Sequence, residues 1–233
     1  MRRLAAIALA LILSLLAGAA TPSFTRAVNP AICSESVDSS FLGFVKVWSP
    51  NGPEGPFRTA VADIDWNGGA NDTSAWVMLA NIGGSISVAQ VGIMECPDPV
   101  YFAAWGWGDP FQPGSFYEER TFGPVDTTIK HNFRVARGST SDTLRFSIDG
   151  VEVLRLDPDP LPWRTTTARV SAESHDGDCL PSVKVTNAHT GGGHVMDWGV
   201  SSPGPFWCPS QLASSRWYPA GGPPFNGFRI FAP

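Results

Sequence analysis

The chain has 233 residues, with 16 Lys or Arg against 21 Asp or Glu, a formal net charge of −5 at pH 7. An acidic chain without a basic run argues against nucleic acid or an anionic membrane as partner. After residue 20, no stretch is long and apolar enough to predict a membrane span.

The N-terminal residues have the pattern of a secretory signal peptide. Arg2 and Arg3 precede an apolar run that ends at Leu16, and the small residues from Ala17 to Ala20 follow it. We therefore expect a secreted, extracellular protein, and we leave residues 1–20 out of the fold.

The rest of the chain has the pattern of an all-β protein. Helical periodicity is absent, and short apolar or alternating runs recur between clusters of Gly, Pro, Asn, Asp and Ser. Asp149 and Gly150 suit the two-residue turn of a hairpin, which needs positive φ. The ten predicted strands indicate a two-sheet antiparallel jelly-roll sandwich. In chain order they are FLGFVKVW, FRTAVADIDW, AWVMLA, ISVAQVGIME, VYFAAWGW, HNFRVAR, LRFSIDG, VEVLRLD, ARVSAESH and VKVTNA.

From Gly199 onward the composition changes to Pro, Gly and aromatic residues. So many aromatic side chains are not expected in a free tail, so we predict that this segment packs on the sandwich. The predicted division of the chain is a signal peptide (1–20), an N-terminal lead (21–39), a β-sandwich domain (40–198) and a C-terminal extension (199–233).

All four cysteines lie in the exported part of the chain. An even number of cysteines in an oxidising compartment predicts two disulfides, for which three connectivities are possible. We prefer the pairs Cys33 with Cys96 and Cys179 with Cys208.

The segment AQVGIMEC places a glutamine in the middle of an apolar strand. Because alternate strand residues share a face, Gln90 lies with Val88, Gly92 and Met94, whereas its immediate neighbours point the other way. Its amide offers one acceptor and two donors, and Gly92 is expected to leave room beside it.

Four segments in order carry a resemblance to a known family: SAWVMLAN, the Gln90 strand, YFAAWGWG and SVKVTNAHTGG. They resemble the AWVGI, LQTGV, AW and TNAEAT segments of the glutamic peptidases, which are secreted concanavalin-like β-sandwich proteases. The resemblance covers roughly residues 41–193. It implies the same sandwich fold and an activity on peptides.

In that family a glutamate acts as general base on a water molecule, and a glutamine holds the water and stabilises the oxyanion. Gln90 matches the glutamine. The family's AEWIVE is here ARVSAE, so Arg169 stands at the position of the base, and arginine cannot act as a base. The resemblance therefore leaves Gln90 and Glu173 as the catalytic candidates, in an altered or inactive relative.

The candidate substrate-binding residues are the aromatic side chains Trp76, Trp105 and Trp107, with Arg169 and His175. Trp105 and Trp107 share a strand face, so they are the best candidates for a stacking platform. We expect no cofactor and no metal, because no HExxH or paired-cysteine zinc pattern exists.

Three functional hypotheses remain open from the sequence. The first is an extracellular hydrolase of peptides. The second is a non-catalytic module that binds polysaccharide or an extended peptide at the tryptophans. The third is a structural cell-surface protein. In each case we expect a monomer with an extracellular polypeptide or polysaccharide partner.

Overall fold

The computed structural model describes residues 57–69, 73–81, 87–95, 97–108, 114–138, 143–161, 167–174, 180–190, 216–218 and 227–230. Within these ranges no helix has the length and apolar character needed to span a membrane. The signal peptide, the N-terminal lead, His175 and the four cysteines lie outside the described residues, so the disulfide prediction is not tested.

The described residues form twelve strands. They are β1 (Thr59–Trp66), β2 (Thr73–Asn81), β3 (Ser87–Glu95), β4 (Pro99–Trp107), β5 (Phe116–Pro124), β6 (His131–Arg137), β7 (Leu144–Ile148), β8 (Val151–Leu156), β9 (Thr167–Ser174), β10 (Val183–Thr190), β11 (Arg216–Tyr218) and β12 (Gly227–Ile230).

The strands form two antiparallel sheets that pack face to face. One has seven strands in the order β11-β12-β10-β1-β6-β7-β8, and the other has five in the order β5-β4-β3-β2-β9. The main core lies between the two sheets. Alternate residues of each strand point to opposite faces of its sheet, so every second residue faces the other sheet. The predicted all-β, two-sheet sandwich is confirmed.

Most predicted strands are present. Nine of the ten runs are strands in the structure, and FLGFVKVW lies outside the described residues. The hairpin is also confirmed, since Asp149 and Gly150 have φ values of 52° and 78°. Leu144, Phe146 and Ile148 of that hairpin are fully buried, as their alternation predicts.

Three strands of the structure were not predicted from the sequence. β5 is an edge strand whose residues Tyr117 to Arg120 are all exposed, so it has no apolar alternation to detect. β11 and β12 come from the Pro/Gly-rich extension, and β12 pairs with β10 at the edge of the seven-stranded sheet. In these two short segments the extension is part of the sheet.

A buried polar contact links the two sheets. The Tyr101 hydroxyl of β4 lies 3.0 Å from Nε2 of His131 on β6, and Nδ1 of His131 lies 2.7 Å from an Asp149 carboxylate oxygen. Burial raises the pKa of Tyr101 to about 12. Because the folded state favours the neutral phenol, this contribution to stability is present below pH about 10 and is lost as the pH rises through about 12.

Candidate functional site

The five-stranded sheet has a second, outer face that points away from the seven-stranded sheet. On β2, Ala75, Val77 and Leu79 belong to the main core, so the alternate residues Trp76 and Met78 point outward. They form a separate buried cluster with Ala80, Phe102 and Ala104, against which Val88 and Met94 pack. The predicted position of Gln90, on a face with Val88 and Met94, agrees with this arrangement.

A straight row of side chains crosses this outer face at Gln90. Gln90 is paired with Met78 of β2 and with Ala104 of β4. Met78 is also opposite Arg169 of β9, and Ala104 is opposite Glu119 of β5. Since directly opposed residues of antiparallel strands share a face, all five belong to one row, which we call the Gln90 row.

The Tyr117 hydroxyl connects Gln90 to a carboxylate. Tyr117 lies two residues before Glu119 on β5, and its hydroxyl donates a hydrogen bond of 3.4 Å to Glu119 Oε2. The Gln90 amide also acts on this hydroxyl as a hydrogen-bond donor, which lowers the pKa of Tyr117. An amide, a phenol and a carboxylate therefore meet at one point of the outer face.

This point is accessible at its β5 end. Tyr117 is 46% exposed and Glu119 is exposed, whereas Gln90 is half-buried. The pKa of Tyr117 is raised well above its usual value, first by desolvation and then by the Glu119 and Glu173 carboxylates. With its pKa raised in this way, the phenol stays protonated and remains a hydrogen-bond donor, although much of the ring is accessible.

Glu173 lies at the opposite, buried side of the outer face. It is 6% exposed, and its Oε2 accepts a hydrogen bond of 2.7 Å from Nε1 of Trp76, which is itself 7% exposed. Along β9, the backbone of Glu173 is four residues, or about 13 Å, from that of Arg169 in the Gln90 row. The predicted base is therefore enclosed beside Trp76, although its charge still raises the pKa of Tyr117.

Arg169 occupies the Gln90 row, where the resemblance places the family's base. Desolvation lowers its pKa to about 10, and its Nε is enclosed with no hydrogen-bond partner. The structure thus places a cation two strands away from Gln90 on one side, and a carboxylate two strands away on the other.

The prediction that Trp105 and Trp107 form a stacking platform is wrong. Trp105 is 1% exposed and packs at 6.0 Å from Phe146 of the opposite sheet, so it belongs to the main core and offers no stacking surface. Trp107, two residues further along, points to the same face of the sheet and is 38% exposed at the end of β4. Trp76 is on the outer face but nearly buried. Consequently, the three tryptophans do not form one open platform.

The expectation that Gly92 leaves room for a ligand is also wrong. A Cβ at Gly92 would meet the Ala75 carbonyl oxygen and would lie 2.7 Å from the Trp76 Cα. The space beside Gly92 is filled by the backbone of β2. Glycine at this position therefore serves the close approach of two strands.

We expect Gly92→Ala to destabilise the protein by about 1–3 kcal/mol, because the added methyl group has to displace backbone rather than a flexible side chain. Chemical denaturation followed by tryptophan fluorescence measures this change. An unfolding free energy equal to that of the parent protein would contradict the assignment.

Tyr117 and Glu119 were not predicted from the sequence to lie as a pair beside Gln90. The signal that could have found them is the alternation of Tyr117 and Glu119 along FYEERTF, which puts both side chains on one face if this segment is a strand. Among the described residues, no group of three or more His, Cys, Asp or Glu is placed to hold a metal ion.

Comparison with known proteins supports the fold. No protein-family model matches the sequence, and no curated protein matches it significantly. Among solved structures, Scytalido-glutamic peptidase with a peptide-based transition-state analogue matches with a TM-score of 0.53 and 12% identity, over 83% of this chain and 98% of that chain. The resemblance to the glutamic peptidases is thus confirmed as a shared glutamic-peptidase-like jelly-roll.

Two further solved structures match with lower TM-scores. A Bacillus licheniformis β-glucanase has a TM-score of 0.41 and 7% identity, over 66% of this chain and 79% of that chain. A Bacteroides ovatus GH16 protein from a mixed-linkage glucan locus, in complex with its G4G4G3G product, has a TM-score of 0.38 and 12% identity, over 67% and 70%.

Proposed function

We propose that the protein is an extracellular hydrolase that cleaves peptide bonds on the outer face of the five-stranded sheet. The observation that carries the proposal is the Tyr117 hydroxyl, which contacts both the Gln90 amide and the Glu119 carboxylate. This brings a candidate base and two neutral donors together at an accessible point. The fold shared with a glutamic peptidase supports peptide as the substrate class.

The reaction needs only these groups and water. The Glu119 carboxylate removes a proton from a water molecule as its oxygen attacks the peptide carbonyl. The Gln90 amide donates a hydrogen bond to the oxyanion that develops on the former carbonyl oxygen. The Tyr117 hydroxyl has one hydrogen, which turns from Glu119 to the oxyanion once Glu119 has taken up the proton of the water. The oxyanion then collapses to a carboxyl group as the carbon–nitrogen bond breaks, and the proton held by Glu119 passes to the leaving amine, which restores the Glu119 carboxylate.

Glu173 has a positioning role in this proposal. Its hydrogen bond to Trp76 holds the indole on the outer face, and its charge helps to keep the Tyr117 phenol protonated. Glu119 is preferred to Glu173 as the base because it is exposed and lies in the Gln90 row.

We also propose that the protein is secreted. The pattern of residues 1–20 supports export, and an exported monomer that acts on polypeptides outside the cell fits the acidic composition. Size-exclusion chromatography of the exported chain and detection of the protein in the medium test these two points.

The test is proteolysis of a denatured protein by the purified exported chain, from acid to neutral pH. We expect cleavage by the parent protein, and a rate lower by about 10²–10³-fold in Gln90→Ala, since an oxyanion donor is lost. Thermal unfolding of the variant checks that it is folded. Absence of cleavage at every pH, with folded protein, would overturn the proposal.

A further inference from the structure

Arg169 is an unusual cation on the outer face. It makes no hydrogen bond or ion pair with any described residue, and desolvation alone accounts for its lowered pKa of about 10. At neutral pH the guanidinium is therefore still charged. A partly enclosed charge without a partner costs folding free energy, so its presence needs an explanation other than stability.

The Arg169 side chain is only partly buried, although its Nε is enclosed without a partner. We take the accessible part to be the two terminal guanidinium nitrogens. These nitrogens form the planar fork that binds a carboxylate through two parallel hydrogen bonds.

The two carboxylates that the structure describes on the outer face do not neutralise this cation. Glu119 lies four strands away in the Gln90 row, which is about 19 Å by strand spacing. Glu173 is displaced along β9 by about 13 Å and accepts the Trp76 hydrogen bond. Neither carboxylate contributes to the pKa of Arg169. No described carboxylate is therefore placed to pair with Arg169, and we look for its anion in a bound molecule.

We infer that Arg169 forms a subsite for an acidic side chain of the substrate. This inference rests on the proposed function and names its substrate class, polypeptides that carry Asp or Glu near the cleaved bond. Arg169 and Gln90 are two strands apart, or about 10 Å, and an extended peptide advances about 3.3 Å per residue. The acidic residue is therefore about three positions from the cleaved bond if the substrate follows the Gln90 row.

Matched peptides test the inference. Each pair differs only in Glu or Gln at one position flanking the cleaved bond, and kcat/KM is measured for both. We expect the parent protein to prefer Glu by about ten- to hundredfold at one position, and less at high salt. In Arg169→Met, which keeps an apolar stem of similar length, the ratio should fall to about one. Arg134→Met, on the exposed surface of β6, is the control and should keep the parent ratio.

The outcomes separate the inference from the proposed function. Equal cleavage of Glu and Gln peptides by the parent protein would overturn the subsite and leave the peptidase intact. If no peptide is cleaved, the proposed function fails. Equilibrium binding of fluorescently labelled versions of the same peptides then decides whether Arg169 forms the subsite. Tighter binding of Glu peptides that is lost in Arg169→Met supports it, and equal binding overturns it.

Discussion

Glu119→Gln is expected to lower kcat/KM for peptide cleavage by about 10²–10⁴-fold, the contribution that a positioned general base makes. The amide has nearly the same shape as the carboxylate but cannot take a proton from water. Because Tyr117 can still donate to the new amide oxygen, we expect the local geometry to persist. Initial rates on a single fluorogenic peptide, at the pH of greatest activity, measure the loss.

The neighbouring residue provides a matched control for this substitution. Glu118 is opposite Trp105, so it belongs to the face of β5 that does not carry Glu119. Its carboxylate lies 3.9 Å from the Arg120 guanidinium in an exposed ion pair. Such pairs contribute little, so Glu118→Gln should leave both stability and cleavage close to those of the parent. If Glu118→Gln and Glu119→Gln lower the rate equally, the assignment of the base is wrong.

Glu173→Gln distinguishes the two candidate bases. If Glu173 acts only by holding Trp76 and raising the pKa of Tyr117, Glu173→Gln should reduce the rate of cleavage less than Glu119→Gln does. A complete loss of cleavage in Glu173→Gln, with Glu119→Gln still active, would return the role of base to Glu173, as the sequence predicted.

Trp105→Ala is expected to reduce the free energy of unfolding by about 3–5 kcal/mol, because it removes a fully buried tryptophan between the two sheets. The cavity would lie against Phe146 of the seven-stranded sheet, where a partial collapse cannot recover the lost contacts. Urea denaturation followed by circular dichroism measures the change.

Trp107→Ala is the matched control, since Trp107 points to the same face of β4 as Trp105 but is 38% exposed. We expect it to cost less than about 1 kcal/mol. Comparable destabilisation by the two substitutions would contradict the placement of Trp105 in the core, and would reopen the interpretation of both residues as a stacking platform.

Local pattern determined most of the strands. Alternation in LRFSI and the Asp149-Gly150 turn predict the β7-β8 hairpin because both signals lie within a few residues of each other. The same two-residue period placed Gln90 on a face with Val88 and Met94, and that placement agrees with the structure. β5 has no such signal, since an exposed edge strand can carry charged residues at consecutive positions.

The tertiary structure decided which side chains meet at the candidate site. Gln90 and Glu119 belong to strands separated by β4, and only the register of three strands places them in one row. Likewise, the two-residue period of a strand shows that Trp105 and Trp107 share a face. Because β4 is apolar on both faces, this period alone does not tell which face points into the core. The sequence by itself determined strand, turn and relative face, because these depend on neighbouring residues. The carboxylate beside Gln90 and the burial of Trp105 depend on pairing and packing between distant segments, which only the folded chain establishes.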